Sequence, residues 1–184
     1  MHTFKIYCAG GDVFLPENTR NTVFTAMKQQ AAALSGNSLH FELLIPTDNE
    51  LTLDPAADAG AKRRNALIIR RANEAMIRSC DAVIANLSPF RSNEPDCGTA
   101  YECGYAAALG KTVLVYTDND ADQTEKYQGF DFGQSAPDKR FAYTGIEDFA
   151  LPFNLMMYDD AHPIFSSFHQ ALAYFQQQYL NGAR

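Results

Sequence analysis

The chain opens on an apolar and aromatic run, Phe4 to Ala9, that ends at Gly10-Gly11. A short apolar run stopped by glycines predicts a buried strand entering a tight loop. Asn18 to Leu34 starts polar, continues alanine-rich and stops at Ser35-Gly36-Asn37, the pattern of a helix. Phe41 to Ile45 predicts a second strand, ended by Pro46-Thr47-Asp48-Asn49. Leu53 to Ala61, rich in Ala and Asp, reads as a loop or an insertion. From Arg64 to Ser79 the apolar residues Leu67, Ile68, Ala72, Ala75, Met76 and Ile77 recur at helical spacing, with arginines outside. Asp81 to Leu87 is a continuous apolar run, which suits a parallel strand covered on both faces.

Ser88 to Pro95 reads as a loop, and Asp96 to Leu109 as a helix that Asp96 caps and Gly110 ends. Lys111 to Thr117 predicts another strand, and Asp118 to Asp138 a long polar excursion. Phe149 to Tyr158 is apolar and irregular around Pro152. Ser166 to Leu180 predicts an amphipathic final helix, with Phe168, Leu172, Phe175 and Tyr179 on one side. Strands alternating with helices imply one α/β domain over residues 1–184. The expected architecture is an open, mostly parallel sheet flanked by helices, flavodoxin-like or Rossmann-like. Ligands of such sheets sit beyond the carboxyl ends of the strands. That rule selects Tyr7 to Phe14, Asp48 to Glu50, Ser88 to Asp96, and Asp118.

Composition narrows the partners. The chain has 184 residues, with 15 Lys+Arg against 22 Asp+Glu and a formal charge of −7. A nucleic-acid backbone needs a basic stripe, and the basic clusters here are only Lys62-Arg63-Arg64 and Arg70-Arg71. No nucleic-acid partner is therefore expected. No segment reaches the roughly 18 apolar residues of a membrane span, so no membrane partner is expected either. Met1 to Ala9 lacks a basic start and a long apolar region, which argues against a secretory signal. Cys8, Cys80, Cys97 and Cys103 form no CxxC pair, and a reduced cytoplasm suits them. Neither these nor His162 and His169 have metal-ligand spacing, so no metal is expected. No phosphate-cradling glycine motif follows a strand, so no dinucleotide or other cofactor is expected.

One carboxylate needs explaining. Glu102 lies inside the small-residue helix DCGTAYECGYAAALG, with no cation one turn away. Composition alone would place it on the solvent face, and Asp96 at the helix cap. Two carboxylates near the mouth of a parallel sheet would instead suit glycosyl chemistry, in which one attacks the sugar.

The chain resembles the nucleoside 2-deoxyribosyltransferases. The resemblance rests on KIYCAGGDVF at the first strand, IPTDNE after the second, the block CDAVIANLSPFRSNEPDCGTAYECGYAAALGKTVLVYT, and LPFNLMMYD near the C-terminus. It covers most of the chain and reverses the solvent-face reading of Glu102. It implies that Glu102 is the nucleophile that attacks the anomeric carbon, and that Tyr7 hydrogen-bonds and orients it. It implies further that Asp96 faces the sugar's 5′-hydroxyl and that Phe14 and Glu50 lie at the base pocket. Asn154 and Met156 fall on a segment that a neighbouring subunit contributes in this family, which implies a homodimer or higher homo-oligomer. The ligands implied are a small deoxynucleoside and a free nucleobase.

Two positions depart from the family pattern. Many members carry an aspartate at the position of Asn73, where it protonates the leaving base; Asn73 can bind a base but cannot supply that proton, and Asp48 is a second candidate. The usual Ala-Gly-Pro after the first strand is Ala9-Gly10-Gly11, which implies a looser loop beside Tyr7. The excursions at 53–61 and 118–138 look long and suggest lids. Two other readings use the same residues. One is a hydrolase of deoxynucleosides or their 5′-monophosphates, although the carboxylate of Asp96 would repel a 5′-phosphate. The other is a non-catalytic module that binds or senses nucleosides.

Overall fold

The computed structural model describes residues 2–130 and 145–182. Its core is one parallel sheet of four strands: β1 (His2–Gly10), β2 (Leu39–Leu44), β3 (Ala82–Asn86) and β4 (Thr112–Tyr116), in the order β2-β1-β3-β4. Helices α1 (Glu17–Leu34), α2 (Ala59–Ser79), α3 (Cys97–Ala108), the short α4 (Gln123–Lys126) and α5 (Phe168–Gly182) follow or connect them. The expected α/β sheet flanked by helices is thus observed, with all four strands within a few residues of their expected places.

Strand periodicity of two sorts the core. Phe4, Ile6 and Cys8 of β1 point to one face, where Phe24 and Met27 of α1 and Phe168 and Leu172 of α5 cover them. Tyr7 and Ala9 point to the other face, with Ile77 of α2, Cys103 and Ala106 of α3, and Phe153. β1 and β3 are the central pair, and Tyr7 stands between Leu44 of β2 and Val83 of β3. From β1 the chain moves outward to β2, then crosses back to β3. The strand order therefore reverses between β1 and β3, and a crevice opens at their carboxyl ends.

The helix reading needs two corrections. α2 begins at Ala59, not Arg64, because Asp58 caps it by accepting from the amide of Ala61 at 2.9 Å. The remainder of the first excursion is pinned to that helix: Asn65 bonds the backbone of Asp54 in both directions, and Arg64 pairs with Asp54 at 2.7 Å. Second, Leu67, Ile68 and Ile69 are 49%, 36% and 41% exposed, so the middle of α2 leaves its apolar residues uncovered within this chain, while Ala61 and Ile77 are buried. The part of the later excursion that is described packs down as well. Gln123 and Tyr127 both donate to the Glu94 carboxylate, while residues 131–138 of that excursion lie outside the described residues. No helix among the described residues is long and apolar enough to cross a membrane.

Candidate active site

Glu102 is half-buried on α3, the helix that packs across β1, β3 and β4. Small residues make the approach possible: Ala106 is fully buried against the sheet and Cys103 nearly so. The Tyr7 hydroxyl, reaching from the middle of β1, donates to Glu102 Oε1 at 2.6 Å. Asn73, from α2, donates through Nδ2 to the same oxygen at 3.3 Å. Three elements thus converge on one carboxylate.

Burial pushes the Glu102 pKa above the ordinary glutamate value. The hydrogen bonds from Tyr7 and Asn73 pull it back in part, and the charge of Asp96 pushes it further up. Burial and the Glu102 charge hold the Tyr7 hydroxyl far above the usual tyrosine range, so it stays a donor at every working pH.

Asp96 is the N-cap of α3, as its place in the sequence suggests. Its Oδ2 accepts from the backbone amide of Thr99 at 2.9 Å and from the Thr99 hydroxyl at 3.1 Å. A Cβ at Gly98 would lie 2.9 Å from that oxygen, which is why a residue without a side chain follows so closely. Capping engages one oxygen only. No described residue donates to Oδ1.

The crevice at the switch point holds a cavity of about 420 Å³ lined by Asp12, Phe14, Asn86, Phe90, Arg91 and Asp118, among others. It opens about 10 Å beyond Tyr7 along β1, at ~3.3 Å per residue. Asn86 donates to Asp12 Oδ2 at 2.9 Å and joins the two strand ends. The rings of Phe14 and Phe90 lie 5.4 Å apart, and the Arg91 guanidinium sits 5.0 and 4.5 Å from them. Arg91 takes a left-handed backbone, φ 57°, to reach that place. The expected looseness of Gly10-Gly11 is corrected here. A Cβ at Gly11 would lie 2.7 Å from the Phe90 ring, and one at Gly10 would lie 2.6 Å from Asp12 Oδ2. These glycines permit close approach, and the loop is tightly packed.

Of the residues expected at the site, Glu102, Tyr7 and Asn73 are brought into direct contact, and Phe14 lines the crevice. Asp48 is instead paired with Lys28 at 2.8 Å, about half exposed, and makes no contact with Glu102. Glu50 lies in exposed chain beyond it. Asn154 caps a single 3-10 turn, Leu155–Met157, and its amide bonds Glu147. Met156 projects from that turn, 82% exposed. A larger cavity, about 520 Å³, runs between α3 and residues 156–164; like the crevice cavity, it is lined by neither Glu102 nor Tyr7. Asp12, Asn86, Phe90 and Arg91 had no expected role. Three of them fall inside the segments that the strand-end rule selects, and that rule was the signal available. Among the described residues no three His, Cys, Asp or Glu side chains cluster as metal ligands.

A family model described as Nucleoside 2-deoxyribosyltransferase matches residues 6–156. Among solved structures, the 2-desoxiribosyltransferase from Leishmania mexicana is similar at 41% identity, over 95% of this chain and 97% of that one, with a TM-score of 0.68. A 2-deoxyribosyltransferase from Bacillus psychrosaccharolyticus is similar at 21% identity over 64% of this chain and 75% of that one, with a TM-score of 0.47. A comparison with curated protein sequences finds no match.

Proposed function

Because the chain belongs to the nucleoside 2-deoxyribosyltransferase family, we propose that it exchanges nucleobases on 2-deoxyribose by double displacement, with Glu102 as the nucleophile. The observation that carries this is the half-buried Glu102 carboxylate held by the Tyr7 hydroxyl at 2.6 Å, with Asn73 donating to the same oxygen. A Glu102 oxygen bonds to the anomeric carbon as the C–N bond breaks and its electron pair leaves with the base. A second base then displaces the ester from the face the first one left, so configuration is retained. Over the cycle the N–H proton given up by the incoming base balances the one taken up by the departing base. The negative charge of Glu102 stabilises the oxocarbenium-like transition state, and its desolvation strengthens that interaction. The free Oδ1 of Asp96 accepts from the sugar's 5′-hydroxyl. The test is exchange between a deoxynucleoside and a free base, followed chromatographically. Base release that does not depend on the acceptor would favour hydrolysis, and stabilisation by nucleosides without turnover would favour a binding module.

The Phe14 and Phe90 rings form the wall against which the base stacks, with Asp12, Asn86 and Asp118 offering polar atoms to its edge. Phe90→Ala is expected to raise KM for donor and acceptor by about 5- to 50-fold through lost stacking, with a smaller change in kcat. Steady-state kinetics at fixed pH measure the split. A loss confined to kcat would place the base elsewhere.

A second copy of the chain completes the site. Supporting this, Met156, Leu155 and Tyr158 are 82%, 40% and 46% exposed, and the Leu67–Ile69 face of α2 is uncovered within the chain. Asn154 and Met156 would then enter the partner's crevice, the first to bond the sugar and the second to pack beside Glu102. Glu102→Gln and Asn154→Ala proteins, each deficient alone, are expected on mixing and subunit exchange to recover roughly a quarter of wild-type activity, because half of random pairs are mixed and each mixed pair has one intact site. Absence of recovery between exchanging subunits would exclude a shared site.

A further inference from the structure

Resting on the reading of Glu102 as nucleophile, we propose that Asn73 is a positioning residue which, with Tyr7, pins Oε1 of Glu102 and so makes Oε2 the attacking oxygen.

The two donors reach the same atom from different elements. Tyr7 comes from β1 at 2.6 Å, Asn73 from α2 at 3.3 Å. The terminal torsion of a glutamate is broad, and a single hydrogen bond leaves the carboxylate free to swing about it. A second donor from another direction fixes the carboxylate plane. Among the described residues none donates to Oε2, so one oxygen is held and the other is free to react. Holding a nucleophile in line is the kind of preorganisation that lowers a displacement barrier.

Three features support this role for Asn73. The amide already spends a donor on Glu102. Its Oδ1 is buried with no partner among the described residues, a cost that an apolar side chain would avoid. The neighbouring Glu74 is turned away, bonded to Arg70 at 2.8 Å and to the Tyr101 hydroxyl at 2.7 Å, so on α2 Asn73 is the side chain that bonds the nucleophile. Asparagine is also the neutral choice. The titratable groups that interact with Glu102 are Tyr7 on β1, Asp96 at the cap of α3 and the adjacent Cys103, whose thiol burial holds neutral. An aspartate at position 73 would add a second carboxylate in direct contact and oppose ionisation of the first.

The test compares wild type, Asn73→Leu and Asn73→Asp in base exchange between a deoxynucleoside and a free base, with kcat and KM measured across pH. Asn73→Leu is expected to lower kcat by about 10- to 100-fold, keep KM for both substrates within about threefold, and move the acid limb of kcat/KM to higher pH, because a donor to the charged form is gone. Asn73→Asp is expected to move that limb further up. Higher KM with kcat and the acid limb unmoved would make Asn73 a base reader and overturn the proposal. So would Asn73→Asp raising kcat with the limb in place, the behaviour of a restored proton donor. Should Asn73→Leu not fold, the near-isosteric Asn73→Asp carries the test alone: a raised limb supports the proposal and an unmoved one overturns it. Retained exchange in Glu102→Gln would instead remove the reading on which the proposal rests, whatever the Asn73 variants do.

Discussion

Glu102→Gln is expected to lower base exchange by about 10⁴-fold or more in kcat while leaving the protein folded and somewhat more heat-stable than wild type. The amide keeps the shape and can still accept from Tyr7, but it cannot form the ester that the proposed double displacement requires. The stability gain has a separate cause. Burial is the largest influence on Glu102 and raises its folded-state pKa above the ordinary value. The folded protein therefore holds this proton more tightly than the unfolded chain does. Stability contributed by the neutral form is full below the ordinary glutamate value and is lost as pH rises through the raised one. At neutral pH the ionised, desolvated carboxylate is a cost that Glu102→Gln removes. The difference in melting temperature between variant and wild type should grow from acid to neutral pH, and calorimetry at both measures it. Exchange retained at wild-type rate would end the assignment of Glu102. A variant less stable at neutral pH than at acid pH, relative to wild type, would show that the hydrogen bonds from Tyr7 and Asn73 outweigh desolvation. Active groups held against stability are common where function needs a reactive charge.

The sheet was readable from the chain because each strand is a short, nearly continuous apolar run bounded by turn residues, and that signal is local. β3 is the clearest case, since Ala82 to Ala85 is fully buried on both faces. The start of α2 was harder to place because Asp58 lies among the alanines and acidic residues of 53–61 and looks like more of the same loop. The helical spacing of Leu67 and Ile68 was right about the helix, and their exposure has a different reason: periodicity reports which side of a helix is apolar, not whether this chain or another one covers it. The site was the least legible part. Tyr7 and Glu102 are 95 residues apart, and Asn73 and Glu102 are 29 apart, so no spacing rule joins them. The resemblance joined Tyr7 to Glu102 but placed Asn73 at the base. The bond from Asn73 depends on how α2 crosses α3, which no local pattern encodes. The packing of Gly11 against Phe90 is of the same kind, and reading the glycine alone suggested freedom where the contact imposes closeness.

Tyr7→Phe is expected to lower kcat by about 10- to 100-fold and to move the acid limb of kcat/KM to higher pH, with KM little changed. The ring would still fill its place between Leu44 and Val83, so the sheet should be undisturbed. What disappears is a 2.6 Å hydrogen bond to a charged oxygen, the class of bond worth most in a partly dry site. The direction of the pH effect follows from which form the hydroxyl favours. It donates to the carboxylate and pulls the Glu102 pKa down against the push of burial, so without it a larger share of Glu102 is protonated and inert at a given pH. Activity lost at low pH should therefore return in part as pH rises, whereas the Glu102→Gln loss should not. The hydroxyl itself is held far above the ordinary tyrosine range and cannot produce an alkaline limb, so the variant and wild type should share that side of the profile. Because Tyr7 and Asn73 donate to the same oxygen, their effects should not add: whichever donor is removed first leaves the carboxylate free to swing, and the second removal then costs less than it does alone. An additive double variant, with the acid limb unmoved by Tyr7→Phe, would mean that the two side chains do not act through Glu102.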